Sequence, residues 1–279
     1  MITTTRQSSS CDVEKPLVSI GIPTYNRAKT LSVALESVIC QDYRNLEIII
    51  FDNASEDETS AVCSNYQKID QRINFYRQAF NCGPINNFVS VLKKATGTYF
   101  MWLSDDDWID SNYISSCLSQ LQENRGTTLV GGEVKYYKNS NFVYTAKPTP
   151  FMSNNKILRM FSYYKVVDDN GIFYGLMRTA AARKCRMINC MGSDWLFVAT
   201  IAYHGKIGFC NGTAIHRDLG GTSESIEKLV SILGVPSIQA KIPMTFPLMV
   251  NAVFDLFRQK DAYQNIPIFL RFVIAPFLG

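Results

Sequence analysis

Two runs near the start, LVSIGI at 17–22 and LEIIIF at 46–51, are apolar without polar alternation, the pattern of strands covered on both faces of a parallel sheet. Between them Leu31, Ala34, Leu35, Val38 and Ile39 recur at i, i+3, i+4, i+7 and i+8. That stripe predicts an amphipathic helix, entered through a turn marked by Pro23, Asn26 and Arg27. The alternation continues with a helix near 57–66, the strand INFYR at 73–77, a helix near 86–95 and the strand TYFMWL at 98–103. This β-α-β-α-β-α-β order is the sequence form of a doubly wound α/β sheet flanked by helices. Further on, NGIFYGLMR at 170–178 reads as a strand and TAAARKCRM at 179–187 as a helix. A second helical face, Leu196, Ala199, Thr200 and Tyr203, precedes the strand KIGFCNGTAI. From about 225 the chain turns to apolar and aromatic helices, a C-terminal helical extension.

Composition narrows the class. A chain of 279 residues that is 47% hydrophobic can bury a large core. It divides into a polar, disordered lead-in at 1–15, a first half at 16–110, a second half at 111–224 and the helical segment 225–279. The net charge of +4 is spread without a Lys/Arg block, which excludes the clustered basic face of a nucleic-acid binder. Eight scattered cysteines without a C-x-x-C pair read as reduced thiols of a cytoplasmic protein. The lead-in has no apolar signal core, and Asp255, Arg258, Lys260 and Arg271 break every apolar stretch short of the length of about 18 that spans a bilayer. The apolar end Phe277-Leu278-Gly279 reads as a chain cut within a longer protein.

In doubly wound sheets ligands bind beyond the carboxyl ends of the strands. Those ends are polar here: Pro23-Thr24-Tyr25-Asn26-Arg27, Asp52-Asn53-Ala54-Ser55, Asn81-Cys82-Gly83 and Ser104-Asp105-Asp106-Asp107. Turn and cap chemistry accounts for most of them, including Ser55 before Asp57 and Glu58. It does not account for three adjacent aspartates, whose mutual repulsion calls for a cation or donor groups. No G-x-G-x-x-G follows the first strand and no G-x-x-x-x-G-K-[ST] occurs, which argues against a dinucleotide dehydrogenase and a P-loop NTPase. Strand-end carboxylates suit ribose hydroxyls and a base N–H, Tyr25 suits stacking on a base, and hard carboxylate oxygens suit Mg²⁺ or Mn²⁺ bridging a diphosphate.

The stretches VSIGIPTYNRAKTLSVALESVICQDYRNLEIIIFDNASEDET (18–59) and NCGPINNFVSVLKKATGTYFMWLSDDDW (81–108) resemble the family-two glycosyltransferases, inverting enzymes with the GT-A fold. The resemblance implies a nucleotide-sugar-binding first half and an acceptor-binding, catalytic second half. It places Pro23, Thr24, Tyr25 and Arg27 around base and ribose, Asp52 on the base with Asn53 beside it, and Asp105 and Asp106 at ribose and metal. Asp106 is the implied ligand of Mg²⁺ or Mn²⁺. Ser104 stands where the family commonly has the first carboxylate of its acidic motif, and Asp107 caps the next segment beside Trp108.

The same resemblance makes Asp194 the catalytic base, with Ser193 in place of an acidic partner. From the residues alone, Asp194 or Ser193 is equally an N-cap. His216, after its strand, would complete the metal or diphosphate site, and Arg217 would add positive charge to the leaving group. RDLGGTSES has the composition of a loop that closes over a donor. The implied activity is transfer of a sugar from a UDP-, dTDP- or GDP-sugar to a hydroxyl acceptor, glycan or lipid-linked, in surface-polysaccharide or glycolipid assembly at the inner face of a membrane. Three uses are open to 225–279: packing on the second half, a homodimer interface, or peripheral contact with a membrane that carries the acceptor. A nucleotidyltransferase and an inactive sugar-nucleotide-binding subunit are the alternatives, the latter kept open by Ser104 and Ser193.

Overall fold

A computed structural model describes residues 15–166, 169–219, 225–243, 245–259, 262–268 and 271. The lead-in up to residue 14, residues 220–224 of the RDLGGTSES segment and the Phe277-Leu278-Gly279 end lie outside the described residues. The first half follows the predicted alternation: β1 (Val18–Thr24), α1 (Leu31–Ile39), β2 (Leu46–Asp52), α2 (Thr59–Ile69), β3 (Ile73–Arg77), α3 (Pro84–Lys94) and β4 (Tyr99–Trp102). It continues with β5 (Trp108–Ile109), α4 (Tyr113–Glu123), β6 (Thr127–Lys138), β7 (Asn141–Ala146) and α5 (Lys156–Val166). After a 3₁₀ turn at Gly171–Tyr174 come β8 (Leu176–Arg178), α6 (Thr179–Ala182), α7 (Ser193–His204) and β9 (Lys206–Asp218). The C-terminal segment contributes α8 (Ile226–Leu233), a 3₁₀ turn at Ser237–Lys241 and α9 (Thr245–Arg258).

One mixed sheet runs through both halves in the order β3-β2-β1-β4-β8-β6-β9-β5, with β7 paired to β6. β1 lies parallel to β2 and β4, and β8 reverses direction beside β4. Thr24, Asp52 and Arg77 stand in register, so the polar ends of β1, β2 and β3 reach one edge together.

The uninterrupted apolar runs form strands because both faces are covered. Ile20, Ile22, Ile48 and Ile50 pack with Leu31, Leu35 and Val38 of α1 on one face. Ile49, Phe51, Phe100 and Trp102 pack on the other face with α3 and α7. Trp102, at the end of β4, is fully buried. Its ring stacks on Phe173 with centroids 4.9 Å apart and meets Phe197 edge-on at 5.0 Å. This aromatic cluster sits directly behind the aspartates that follow β4.

Several expectations for the second half are corrected. Residues 170–178 are not one strand: Gly171–Tyr174 coil into a 3₁₀ turn and only Leu176–Arg178 pair as β8. The apolar run does not distinguish the two, and burial of Ile172 and Phe173 against the aromatic cluster favours the coiled form. The helix expected at 179–187 is a single turn, Thr179–Ala182. His216 and Arg217 do not follow a strand; they belong to β9, whose pairing with β5 and β6 extends through His216.

The seven described cysteines are free thiols. No helix among the described residues is long and apolar enough to cross a membrane. Of the uses open to 225–279, packing is observed: Leu248, Ala252 and Leu256 of α9 join the core beside α7, while Phe246, Val250 and Phe254 stay exposed.

Gly21 lets α3 lie close to the sheet, since a Cβ there would meet Val91 Cγ1 at 2.0 Å. Gly21→Ala should destabilise the fold by about 1–3 kcal/mol through overpacking, read as a lower urea midpoint with an unchanged slope.

Candidate active site

The loops after β1 and β2 are fastened to each other. Asn26 takes a left-handed conformation (φ 53°) that turns the chain after β1. Its amide donates to Ser55 Oγ at 2.9 Å, its Oδ1 accepts from the Glu56 amide at 2.8 Å, and the Arg27 amide donates to Thr59 Oγ1 at 2.8 Å. Ser55 is held in turn by Asp52, whose Oδ1 accepts from Ser55 N at 2.9 Å and Ser55 Oγ at 2.5 Å. The other Asp52 oxygen accepts from Ser60 Oγ at 2.6 Å and lies 3.5 Å from Arg77 Nη1.

Asp52 is fully buried and does not line the cavity described below. Where the resemblance assigned it to the donor base, the structure commits its oxygens to the loop that presents Tyr25 and Arg27. Asn53 joins the third loop, donating to Asn81 Oδ1 at 2.8 Å and accepting from the Cys82 amide at 2.9 Å.

The three aspartates after β4 divide. Arg27 Nε lies 3.4 Å from Asp105 Oδ1 and its Nη2 3.6 Å from Asp106 Oδ2. Ser104 Oγ donates to Asp106 Oδ1 at 2.5 Å. Burial, reinforced by the neighbouring Asp106 charge, pushes the Asp105 carboxyl up to about 7. Asp107 is not a cap beside Trp108. It is buried and accepts from Arg217 Nε at 2.9 Å, and burial still pushes its carboxyl up to about 6. Arg217 lies over the Tyr174 ring at 4.6 Å, so the guanidinium is held by a counter-ion and an aromatic face.

His216 has both ring nitrogens engaged. Nε2 bonds to Asp110 Oδ1 at 2.8 Å, Nδ1 lies 3.0 Å from the Tyr137 hydroxyl, and the ring stacks on Trp108 at 5.0 Å. It does not line the cavity, and a place in a metal site would require it to release one of these partners. Among the described residues no three His, Cys, Asp or Glu side chains gather as a metal site. Asp105 and Asp106 nonetheless fit a hard divalent cation as a two-carboxylate donor set. Their charge is offset by Arg27 at distances longer than a hydrogen bond, and Mg²⁺ is commonly held by one or two carboxylates with substrate phosphates completing its shell.

Asp194 comes from the second half of the chain. Gly192 (φ 74°) is the N-cap of α7, without a side-chain cap bond, so capping falls to neither Ser193 nor Asp194. The Asp194 Oδ2 accepts from Asn170 Nδ2 at 2.8 Å, and Asn170 Oδ1 accepts from the Tyr163 hydroxyl at 2.7 Å. Burial raises the Asp194 carboxyl above its ordinary range, and the Asn170 bond opposes that rise. A carboxylate so placed keeps one oxygen free of side-chain donors and is a stronger base than one in water.

Asp105, Asp194 and Arg217 line one cavity of about 760 Å³ with Pro23, Thr24, Tyr25, Arg27 and Asn53, which brings together eight of the eleven residues singled out from the sequence. Asp106 is tied to this lining through Ser104 and Arg27. Asn87 Oδ1 and Ser193 Oγ, also in the walls, are buried without hydrogen-bond partners among the described residues. Such atoms call for a polar ligand or water. Sequence reasoning did not identify Asn87, Asn170 or Tyr174. The first lies in the resembling stretch 81–108 but on the buried face of α3, where periodicity gives it no separate signal, and the other two lie in the run expected as a strand. Lys228 and Leu229 of α8 extend the lining, so part of the C-terminal segment reaches the site.

Residues 19–186 match the family described as Glycosyl transferase family 2. The chain is 34% identical over 146 residues to an uncharacterized glycosyltransferase of Rickettsia bellii, covering 51% of this chain and 21% of that protein. It is 26% identical over 175 residues to glycosyltransferase GlyA of Streptococcus pneumoniae, covering 63% and 24%. With GalNAc(5)-diNAcBac-PP-undecaprenol beta-1,3-glucosyltransferase of Campylobacter jejuni it shares 37% identity over 109 residues, 39% of this chain and 35% of that one. The chain thus spans well under half the length of these curated relatives. Its fold is similar to that of S. aureus TarS residues 1–349 solved with UDP-GlcNAc, with a TM-score of 0.60 at 18% identity over 93% of this chain and 80% of that one. A mixed α/β GT-A sheet flanked by helices is common to both.

The raised Asp105 carboxyl makes stability depend on pH. A folded value of about 7 against an ordinary 3.8 means that the stability associated with its protonated form is full below about pH 4 and is lost as pH rises towards 7. Asp105→Asn should therefore melt higher than the parent at pH 8, with the difference closing near pH 4, as read by thermal denaturation in EDTA.

Proposed function

The chain belongs to glycosyl transferase family 2, and from that premise we propose that it is an inverting glycosyltransferase that moves a sugar from a nucleoside diphosphate to a hydroxyl acceptor. The observation that carries this reading is the meeting of the acidic strand end at Asp105 and the half-buried base candidate Asp194 in one cavity. Tyr25, Arg27 and Asn53 receive base and ribose. Asp105 and Asp106 would hold Mg²⁺ or Mn²⁺ at the diphosphate end of the donor. When bound, the cation supplies positive charge at the departing phosphate oxygen.

Asp194 accepts the proton of the acceptor hydroxyl as that oxygen forms its bond to the anomeric carbon. The bond from the anomeric carbon to the diphosphate breaks on the opposite face, and its electron pair leaves on the phosphate oxygen. Arg217, fixed by Asp107 and Tyr174, adds positive charge to the same wall. The orphaned Ser193 Oγ next to Asp194 is a partner for an acceptor hydroxyl. TarS solved with UDP-GlcNAc supports starting with UDP-sugars, and the undecaprenol-linked acceptor in the name of the Campylobacter relative supports testing lipid-linked glycans. Contact of 225–279 with the membrane that holds such an acceptor belongs to this proposal.

A panel of UDP-, dTDP- and GDP-sugars should contain one that raises the melting temperature with Mn²⁺ or Mg²⁺, an effect abolished by EDTA and by Asp106→Ala. Asp194→Asn should keep that shift and lose turnover by about 10²–10⁴-fold, the usual contribution of a general base. Turnover intact in Asp194→Asn would overturn the base assignment. Donor binding without turnover in the parent chain, with suitable acceptors present, would identify a binding subunit instead.

A further inference from the structure

We infer that Asn170 is a positioning residue for the base: clamped by Tyr163, its amide fixes the Asp194 carboxylate and directs the remaining oxygen to the acceptor hydroxyl. The inference rests on the proposed role of Asp194. It comes from three groups in a chain: Tyr163 on α5, Asn170 before the 3₁₀ turn, and Asp194 on the first turn of α7, joined at 2.7 and 2.8 Å.

Hydrogen-bond logic allows one arrangement of this chain. An ionised carboxylate only accepts, so Asn170 must present Nδ2 to Asp194 and Oδ1 to Tyr163. The Tyr163 hydroxyl, fully buried and pushed well above its usual range by burial, stays protonated and donates. The amide therefore cannot flip without setting its own oxygen against the Asp194 carboxylate, two acceptors facing each other, which is costly away from water. A neutral donor also suits the task. It holds the carboxylate without the full charge that a lysine or arginine would bring, which would depress its basicity.

Other groups facing Asp194 among the described residues are Tyr174 on the 3₁₀ turn, Cys190 ahead of α7 and Arg217 on β9. Tyr174 and Cys190 are themselves buried and raised, so they stay neutral as Asp194 titrates, and Arg217 keeps its charge. Asp105, pushed up to about 7 in the same cavity, titrates in both the parent and the variants, so the change that Asn170 makes is read as the displacement of the acid limb from the parent's.

The test is the pH profile of kcat for the full chain, using the nucleotide sugar selected by the melting panel, with Asp194→Asn measured alongside. Asn170→Ala removes a bond to the charged form, so the acid limb of kcat should move to higher pH. Its kcat should fall about 10- to 100-fold, the scale of a misplaced catalytic group, with the donor KM within about twofold. Tyr163→Phe, which keeps the buried ring, should move the limb the same way with a smaller loss of about three- to tenfold, and decides the matter if Asn170→Ala does not fold. A lowered kcat with the acid limb unmoved, or an unchanged kcat, overturns the inference. If Asp194→Asn is inactive while the limb stays still, this inference alone fails; if Asp194→Asn retains turnover, the base assignment fails first.

Discussion

A carboxylate removed from water must recover its lost solvation from neighbouring groups, and the cavity is organised by how completely each of its aspartates does so. Asp52 recovers it from three serine donors and Arg77. Asp107 receives a close guanidinium from Arg217. Asp194 receives the Asn170 amide and backbone donors of its own helix turn, Asp106 receives the Ser104 hydroxyl, and Asp105 and Asp106 share one guanidinium at 3.4 and 3.6 Å. The ranking separates structure from chemistry. The carboxylates with close partners inside the fold fasten loops and fix Arg217. The partly compensated ones keep capacity for a cation or a proton, and these are the groups to which the proposed reaction assigns work.

This division depends on the sheet beneath it. Register brings Thr24, Asp52 and Arg77 to one level, and Trp102 anchors β4 against Phe173 and Phe197 so that the next residues emerge at the same edge. Phe173 follows Asn170 by one 3₁₀ turn, and Phe197 follows Asp194 by one turn of α7. The aromatic cluster therefore locates both sides of the cavity, one through β4 and the other through the segments carrying Asp194 and Asn170. Rigid elements hold the side chains whose distances matter, as preorganisation of an electrostatic site requires.

Much of the frame was legible because each of the first strands is an apolar run with one period and each helix a stripe with another. The strand ends were legible for the same reason: polar residues packed immediately after buried strands need an explanation. What the sequence could not convey is the direction in which a side chain spends its bonding capacity. Asp52, which the resemblance places on the base, accepts from Ser55 and Ser60, and Asp107, expected as a cap, accepts from Arg217. His216 looks like a free ligand until β9 extends through it and places Asp110 and Tyr137 on its two nitrogens. Asn170 has no local signature, because its importance arises from α5 and α7 meeting over it. The apolar run at 170–178 predicts a strand, but aromatic and aliphatic residues have no intrinsic preference strong enough to outweigh packing on Trp102, and Gly171–Tyr174 coil.

The proposed reaction requires one nucleotide sugar to span the cavity with its diphosphate at the Asp105–Asp106 edge and its anomeric carbon facing Asp194. A crystal structure of the chain with an intact donor and Mn²⁺ measures this directly. The expected result is the diphosphate held at Asp105 and Asp106 through Mn²⁺, with the Asp194 oxygen that Asn170 does not bond on the face of the sugar opposite the leaving group. A diphosphate bound elsewhere, or Asp194 on the leaving-group side, would contradict it.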